Sequence, residues 1–175
     1  MIITVKGHKR QSHEHRTDLA GEYKWGDTGQ IVLLLIFLVG MTADVFVLRI
    51  SDSWQYVVPW YFRLVVFIPI LFVALYFTQK AHKKVFEEER KELMIIDTDV
   101  FARIRHPMYF GSLLLYLCFV ILSLSVISLV IFIIAVIFYA YLCRYEEKLL
   151  LEKLGDQYKN YMNNVPMLFP KIRKP

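Results

Sequence analysis

Two clusters of charged side chains flank the longest apolar block of the sequence, and their residue types could bind ions. Arg105 and His106 directly precede Pro107. Proline disfavours a helical residue before it and suits the first position of a helix, so a helix is predicted to begin at Pro107. The free amides at a helix start attract anions, and Arg105 and His106 add donors there. The pattern predicts either a carboxylate or phosphate site or an anchor of the helix at lipid headgroups.

The second cluster is the carboxylate pair Glu146 and Glu147 at the other end of the block. Carboxylates near the C-terminus of a helix oppose the helix dipole, so the pair costs stability unless a cation lies nearby. Lys148 or Arg144 could supply that cation from within the chain. A cationic ligand is the alternative.

The apolar block between the clusters must fold back as a hairpin. A single helix over residues 107–142 would measure about 54 Å, whereas a bilayer core is about 30 Å thick. Ser123, Ser125 and Ser128 mark the expected turn. Counted from that turn at about 1.5 Å per residue, the two clusters differ in depth by only about 5 Å. An anion site beside a cation site would fit a zwitterionic amino acid, such as the methionine end of S-adenosylmethionine.

The composition predicts an all-α integral membrane protein. Hydrophobic residues make up 57% of the chain and are concentrated in long blocks. We expect a cytoplasmic N-terminal arm over 1–28 and one membrane domain over 29–175. The expected membrane spans are about 30–50, 58–79, 107–123 and 126–145, followed by an amphipathic helix over 146–162.

The distribution of positive charge predicts the topology. Of 21 Lys and Arg residues, only Arg49 and Arg63 lie within the first two apolar blocks or in the loop that joins them. Positively charged segments stay in the cytoplasm, so both termini are expected there. Topology and anionic lipid account for the basic segments, and we expect no nucleic acid and no obligate protein partner. Cys118 and Cys143 indicate neither a disulfide framework nor a metal site.

Two charged residues inside apolar blocks should have partners, because an ionisable group in a membrane span is costly. Asp44 and Arg63 lie at similar distances from the loop that joins the first two spans. We therefore expect them to form an ion pair or to share a polar pocket. Alternatively, Arg63 extends to the interface or to an anionic headgroup.

Together, the two clusters resemble the isoprenylcysteine carboxyl methyltransferase and phospholipid methyltransferase group of integral membrane methyltransferases. The resemblance covers residues 93–170 and is carried by RHPMYFGSLL and by EEKLLLEKLGDQYKNYMNNVPMLFP. It implies methyl transfer from the cofactor S-adenosylmethionine, at the cytoplasmic face, to a membrane lipid or another apolar acceptor. The cofactor residues that it implies are Ile95, Ile96, Phe101, Arg105, His106, Pro107, Tyr109, Glu146 and Glu147.

The chain departs from that pattern at several positions. The resemblance to the carboxyl methyltransferases implies His, Gly and Tyr at three positions where this chain has Leu93, Asp99 and Phe101. It also implies a substrate-linked Arg at a fourth position, where this chain has Leu142. Arg144, about 200° around the helix from Leu142, is the remaining candidate for binding the substrate. No catalytic base is assigned. The alternative function is a non-catalytic membrane binding or scaffold protein of the same fold; a reductase is a weaker alternative, because the sequence has no Gly-rich fingerprint.

Overall fold

The computed structural model describes residues 26–87 and 95–170, and all the regular structure in these ranges is helical. The prediction of an all-α fold is confirmed. Residues 1–25 of the expected N-terminal arm, and Leu93, lie outside the described ranges. The helices are α1 (Gly26–Ala43), α2 (Asp52–Val57), α3 (Trp60–His82), α4 (Pro107–Ser123), α5 (Val126–Leu154) and α6 (Asp156–Asn164). Wide helical turns extend α1 over Asp44–Leu48 and α3 over Lys83–Glu87, and a 3-10 turn, Asp99–Ala102, precedes α4.

Within residues 26–87 and 95–170, three helices are long and apolar enough to cross a membrane, and the protein is an integral membrane protein. They cover Gly26–Leu48, Trp60–Val85 and Val126–Leu154. The fourth expected span, α4, is apolar but has only 17 residues. At about 1.5 Å per residue it is roughly 26 Å long, slightly less than the thickness of a typical hydrocarbon core.

The hairpin of α4 and α5 has the ends that the sequence predicts. α4 begins at Pro107, and His106 is the residue that precedes it at the helix cap. The chain turns at Leu124, whose φ of 48° is left-handed. Ser125 then caps α5 by accepting a hydrogen bond from the amide of Ser128 at 3.1 Å. The hairpin therefore places the start of α4 beside the far end of α5.

The expected boundary between the last span and a separate amphipathic helix is wrong. α5 continues without interruption to Leu154, so residues 146–154 belong to it. The stretch after Glu146 contains no helix breaker until Gly155, whose φ is +54°. A short helix, α6, follows the glycine, and its Tyr158 is buried.

The helices pack around two groups of buried side chains that fix α4 from both sides. The larger group joins α1, α4 and α5 and includes Phe37, Tyr116, Tyr139 and Leu142. The smaller group joins α3, the 3-10 turn and α4; its buried members are Phe77, Ala81, Val100, Ile104 and Phe110.

Asp44 lies in a polar pocket at the end of α1 rather than in an ion pair with Arg63. Its fully buried carboxylate accepts hydrogen bonds from the hydroxyls of Ser51 and Ser125, both at 2.5 Å. The amide of Ser51 adds a third hydrogen bond at 3.2 Å. Two serine hydroxyls, one before α2 and one in the turn between α4 and α5, thus satisfy the charge that we expected an arginine to satisfy.

Arg63 binds backbone oxygens instead of a carboxylate. It donates to the carbonyl of Val58 at 2.9 Å, to that of Leu122 at 3.3 Å, and to that of Gln55. The expectation of a direct ion pair with Asp44 is therefore wrong, because carbonyls left open at helix ends lie within reach. Asp44 and Arg63 nevertheless both bind residues at the turn between α4 and α5, Asp44 through Ser125 and Arg63 through Leu122.

Candidate functional site

The imidazole of His106 lies between two carboxylates at the cytoplasmic end that we predict for α5. Its Nε2 is 3.1 Å from Glu147 Oε1, and its Nδ1 is 3.5 Å from Glu146 Oε2. The side chain of His106 is buried. The two clusters flanking the apolar block therefore meet, as the hairpin geometry predicted.

Arg105 contributes a second cation to the cluster. Its Nε lies 3.2 Å from Glu147 Oε1, and the side chains of Arg105 and Glu147 are only 10% and 8% exposed. The Nη1 atom of Arg105 is buried and has no hydrogen-bond partner within the described ranges. A buried donor without a partner costs about 1–3 kcal/mol, and more when it is charged. This nitrogen therefore suits an oxygen atom of a ligand.

Tyr109, in the first turn of α4, also contacts Glu146. Its hydroxyl donates to Glu146 Oε1. Its ring stacks on the imidazole of His106 with the ring centroids 5.8 Å apart. It also packs against the ring of Tyr139, and these two centroids are 5.3 Å apart. Glu146 is the more accessible of the two carboxylates, with 21% of its side chain exposed.

The cluster holds His106 in its charged form. Burial disfavours the imidazolium, but hydrogen bonds with Cys143, Glu146 and Glu147 outweigh it and raise the pKa of His106 well above its usual value. Arg105, His106 and the two glutamates then carry two positive and two negative charges. The cluster therefore offers both signs of charge, which suits the end of a ligand that carries a carboxylate and an ammonium group.

Cys143 is a member of the cluster that the sequence analysis missed. It is buried on α5, and its interaction with His106 contributes to the raised pKa of that residue. Its spacing of three and four residues from Glu146 and Glu147 places all three side chains on one helix face. That spacing was the signal that could have identified it.

A C-terminal segment, residues 165–169, holds the backbone of the Arg105–His106 pair; we call it the C-terminal strap. The amide of Arg105 donates to the carbonyl of Pro166 at 2.9 Å, and that of His106 donates to Met167 at 3.2 Å. Leu168 anchors the strap in the larger buried group and is 3% exposed. The strap therefore fixes the backbone of the two cationic residues.

The segment before Arg105, residues 95–104, is held in place by contacts of Phe101. The hydroxyl of Tyr161 donates to the carbonyl of Phe101 at 2.6 Å, and Phe101 is half-buried against the smaller buried group. Ile95 and Ile96 are also half-buried but are not part of the ion cluster. Asp99 has a φ of 57°, a conformation that favours glycine and that Asp tolerates better than most residues. The departure at Asp99 therefore preserves a glycine-like backbone.

The remaining candidates differ in their exposure. Pro107 is fully buried at the first position of α4. Arg144 is exposed, whereas Leu142, two residues earlier, is fully buried in the core. The structure thus keeps Arg144 apart from the cluster, on another face of α5.

Comparison with known proteins provides independent evidence about the family of this chain. A sequence model described as phospholipid methyltransferase matches residues 63–157, which is more than half of the chain and includes all four charged residues of the cluster. A methanethiol S-methyltransferase from Pseudomonas deceptionensis is 37% identical over 71 residues. The match covers 41% of this chain and 26% of that relative, so it spans about a quarter of the relative's length.

Proposed function

The chain belongs to the phospholipid methyltransferase family, and on that premise we propose that it transfers a methyl group from S-adenosylmethionine to an apolar acceptor. The observation that carries the proposal is the position of His106 between Glu146 and Glu147. This contact brings the RHP segment and the Glu146–Glu147 pair, the two parts of the family's signature, into one site that contains both positive and negative charges.

The charged groups present fit the methionine end of this cofactor. The unpartnered Nη1 of Arg105 suits its carboxylate, and the partly exposed Glu146 suits its ammonium group. The backbone around Phe101, fixed by Tyr161, is the part of this chain that would bind the adenosine half.

The chemistry requires little of the protein beyond binding and orientation. S-adenosylmethionine supplies an electrophilic methyl group, whose bond to sulfur breaks as the acceptor attacks, leaving S-adenosylhomocysteine. Tyr109 and Tyr139 form an aromatic wall beside Glu146 that limits the access of water. An acceptor that attacks as a thiolate or carboxylate needs no general base, and we assign none.

The acceptor that we propose is a lipid or a small apolar molecule that partitions into the bilayer. The exposed apolar faces of α1 and α3 are suited to lipid contact. The name of the relative from Pseudomonas deceptionensis, methanethiol S-methyltransferase, favours a thiol among the possible nucleophiles. The positive charges favour a topology with both termini, and hence the cluster, on the cytoplasmic side.

Methyl transfer by the protein reconstituted in liposomes tests this proposal. With S-adenosylmethionine labelled in its methyl group, we expect label in an extracted lipid or an added alkyl thiol. The transfer should be lost in His106→Gln and retained in Glu152→Gln, which changes an exposed carboxylate on the same helix. A protein that binds the cofactor but labels no acceptor of either class would favour the non-catalytic alternative.

A further inference from the structure

We infer that the charged residues divide the recognition of a zwitterionic ligand: Arg105 receives its carboxylate, Glu146 receives its ammonium, and Glu147 is a positioning residue that touches neither. The inference rests on the proposed function and deepens it. It differs from the expectation from the sequence, in which both glutamates contact the cofactor.

Glu147 already binds two cations from within the chain. Its Oε1 lies 3.2 Å from Arg105 Nε and 3.1 Å from His106 Nε2. Its side chain is 8% exposed, so little of it is open to a third cation. This geometry suits a residue that orients Arg105 and His106.

His106 is poorly placed to receive the ligand's carboxylate, although the sequence suggested that role. Both nitrogens of its imidazole face carboxylates of the protein, at 3.1 Å and 3.5 Å. An imidazolium has only two N–H donors, so neither remains for an anion. His106 instead joins the two glutamates.

Arg105 is the cation with a donor to spare. Its side chain is nine-tenths buried, and its Nη1 has no hydrogen-bond partner among the described residues. Its backbone is fixed by the hydrogen bond to Pro166, and its Nε lies in an ion pair with Glu147 at 3.2 Å, although this atom has no hydrogen-bond partner among the described residues. A guanidinium held in this way offers a directed N–H to a carboxylate oxygen.

Glu146 is the carboxylate with capacity to spare. It accepts from the Tyr109 hydroxyl and lies 3.5 Å from His106 Nδ1, the longer of the two contacts of the imidazole. A carboxylate has about four lone-pair sites, so further donors can bind. With 21% of its side chain exposed, Glu146 is accessible to an ammonium group.

Calorimetry with three ligands distinguishes the three roles. The ligands are S-adenosylhomocysteine, its decarboxylated analogue and its deaminated analogue. Arg105→Gln should weaken the two ligands that carry a carboxylate by about tenfold or more, and the decarboxylated one little. Glu146→Gln should weaken the two ligands that carry an ammonium group and spare the deaminated one.

Glu147→Gln is the decisive variant, because a positioning residue should reproduce the pattern of the group that it positions. We expect it to weaken the carboxylate-bearing ligands, as Arg105→Gln does, and to spare the decarboxylated analogue. A merely structural role would weaken all three ligands equally. Glu152→Gln serves as the control, and thermal melting of each variant reports its folding.

Different results of this experiment would contradict the division of roles and the proposed function. Selective loss of ammonium-bearing ligands in Glu147→Gln would overturn the division of roles while leaving the cofactor site intact. Equal loss of all three ligands in Glu147→Gln would also overturn it. Failure of the folded wild-type protein to bind any of the three would instead overturn the proposed function.

Discussion

The backbone amide of Arg105 donates a hydrogen bond to the carbonyl oxygen of Pro166 at 2.9 Å, and the whole hairpin of α4 and α5 lies between these two residues in the sequence. The next amide, that of His106, binds the next carbonyl, that of Met167. The two residues that supply the site's positive charge are therefore held by a segment near the end of the chain. The position of that segment depends in turn on Leu168, which is buried in the core.

Leu168→Ala should loosen the C-terminal strap. Removing a buried leucine side chain costs about 2–5 kcal/mol of unfolding free energy, and the freed strap should also weaken cofactor binding. Phe169→Ala is the matched control, since Phe169 lies next to it but is 62% exposed. Thermal melting and calorimetry measure the two effects; equal effects of both substitutions would contradict an anchoring role for Leu168.

Gly111→Ala should force α3 and α4 apart. A Cβ at Gly111 would lie 2.2 Å from Thr78 Oγ1 and 3.0 Å from the carbonyl oxygen of Ala74. Overpacking of this kind typically destabilises a protein by about 1–3 kcal/mol, which thermal melting would detect.

Removing the hydroxyl that meets this Cβ should partly restore stability. Thr78→Ala deletes Oγ1, which is buried without a hydrogen-bond partner in the described part of the chain, so alone it should cost little. Combined with Gly111→Ala it should recover part of the loss. A Gly111→Ala variant as stable as the wild type would contradict this close approach of α3 and α4.

Helix ends were predictable where the sequence contains residues that favour the start or the end of a helix. Pro107 determined the beginning of α4, and the serines near Ser125 determined the hairpin turn. The meeting of His106 with the glutamates followed from helix rise alone. The end of α5 was not predicted, because a charged, amphipathic stretch can continue a helix as well as begin one.

The hydrogen-bond partners of charged side chains were not predictable where these partners are backbone atoms or hydroxyl groups. Depth along a span placed Asp44 and Arg63 near one another, but depth does not select between a charged partner and a nearer carbonyl or serine. The same reason hid the C-terminal strap, whose contacts to Arg105 and His106 are made entirely by the main chain.

A double-mutant cycle should show which partner Asp44 depends on. Asp44→Asn leaves buried hydroxyls imperfectly paired and should cost about 1–3 kcal/mol. Its effect should couple strongly with that of Ser125→Ala, because these side chains are in contact at 2.5 Å. Coupling with Arg63→Gln should be smaller. Stability measurements that give stronger coupling between Asp44 and Arg63 would restore the ion pair.

The stability contributed by His106 should decline at alkaline pH. The pKa of His106 in the folded protein lies well above the ordinary value of 6.5, so its charged form stabilises the fold. That contribution is complete below the ordinary pKa and is lost as the pH rises through the raised pKa. The difference in melting temperature between the wild type and His106→Gln should therefore narrow from pH 6 to alkaline pH. A difference that stays constant over this range would contradict the raised pKa.

The most direct test of the shared site is a calorimetric titration of the purified protein with S-adenosylhomocysteine. The account predicts one bound ligand per chain, with affinity reduced by about tenfold or more in His106→Gln and unchanged in Glu152→Gln. The first substitution changes the imidazole that links the two clusters, and the second changes an exposed carboxylate on the same helix. No heat of binding from folded wild-type protein, or equal affinity in the wild type and His106→Gln, would contradict it.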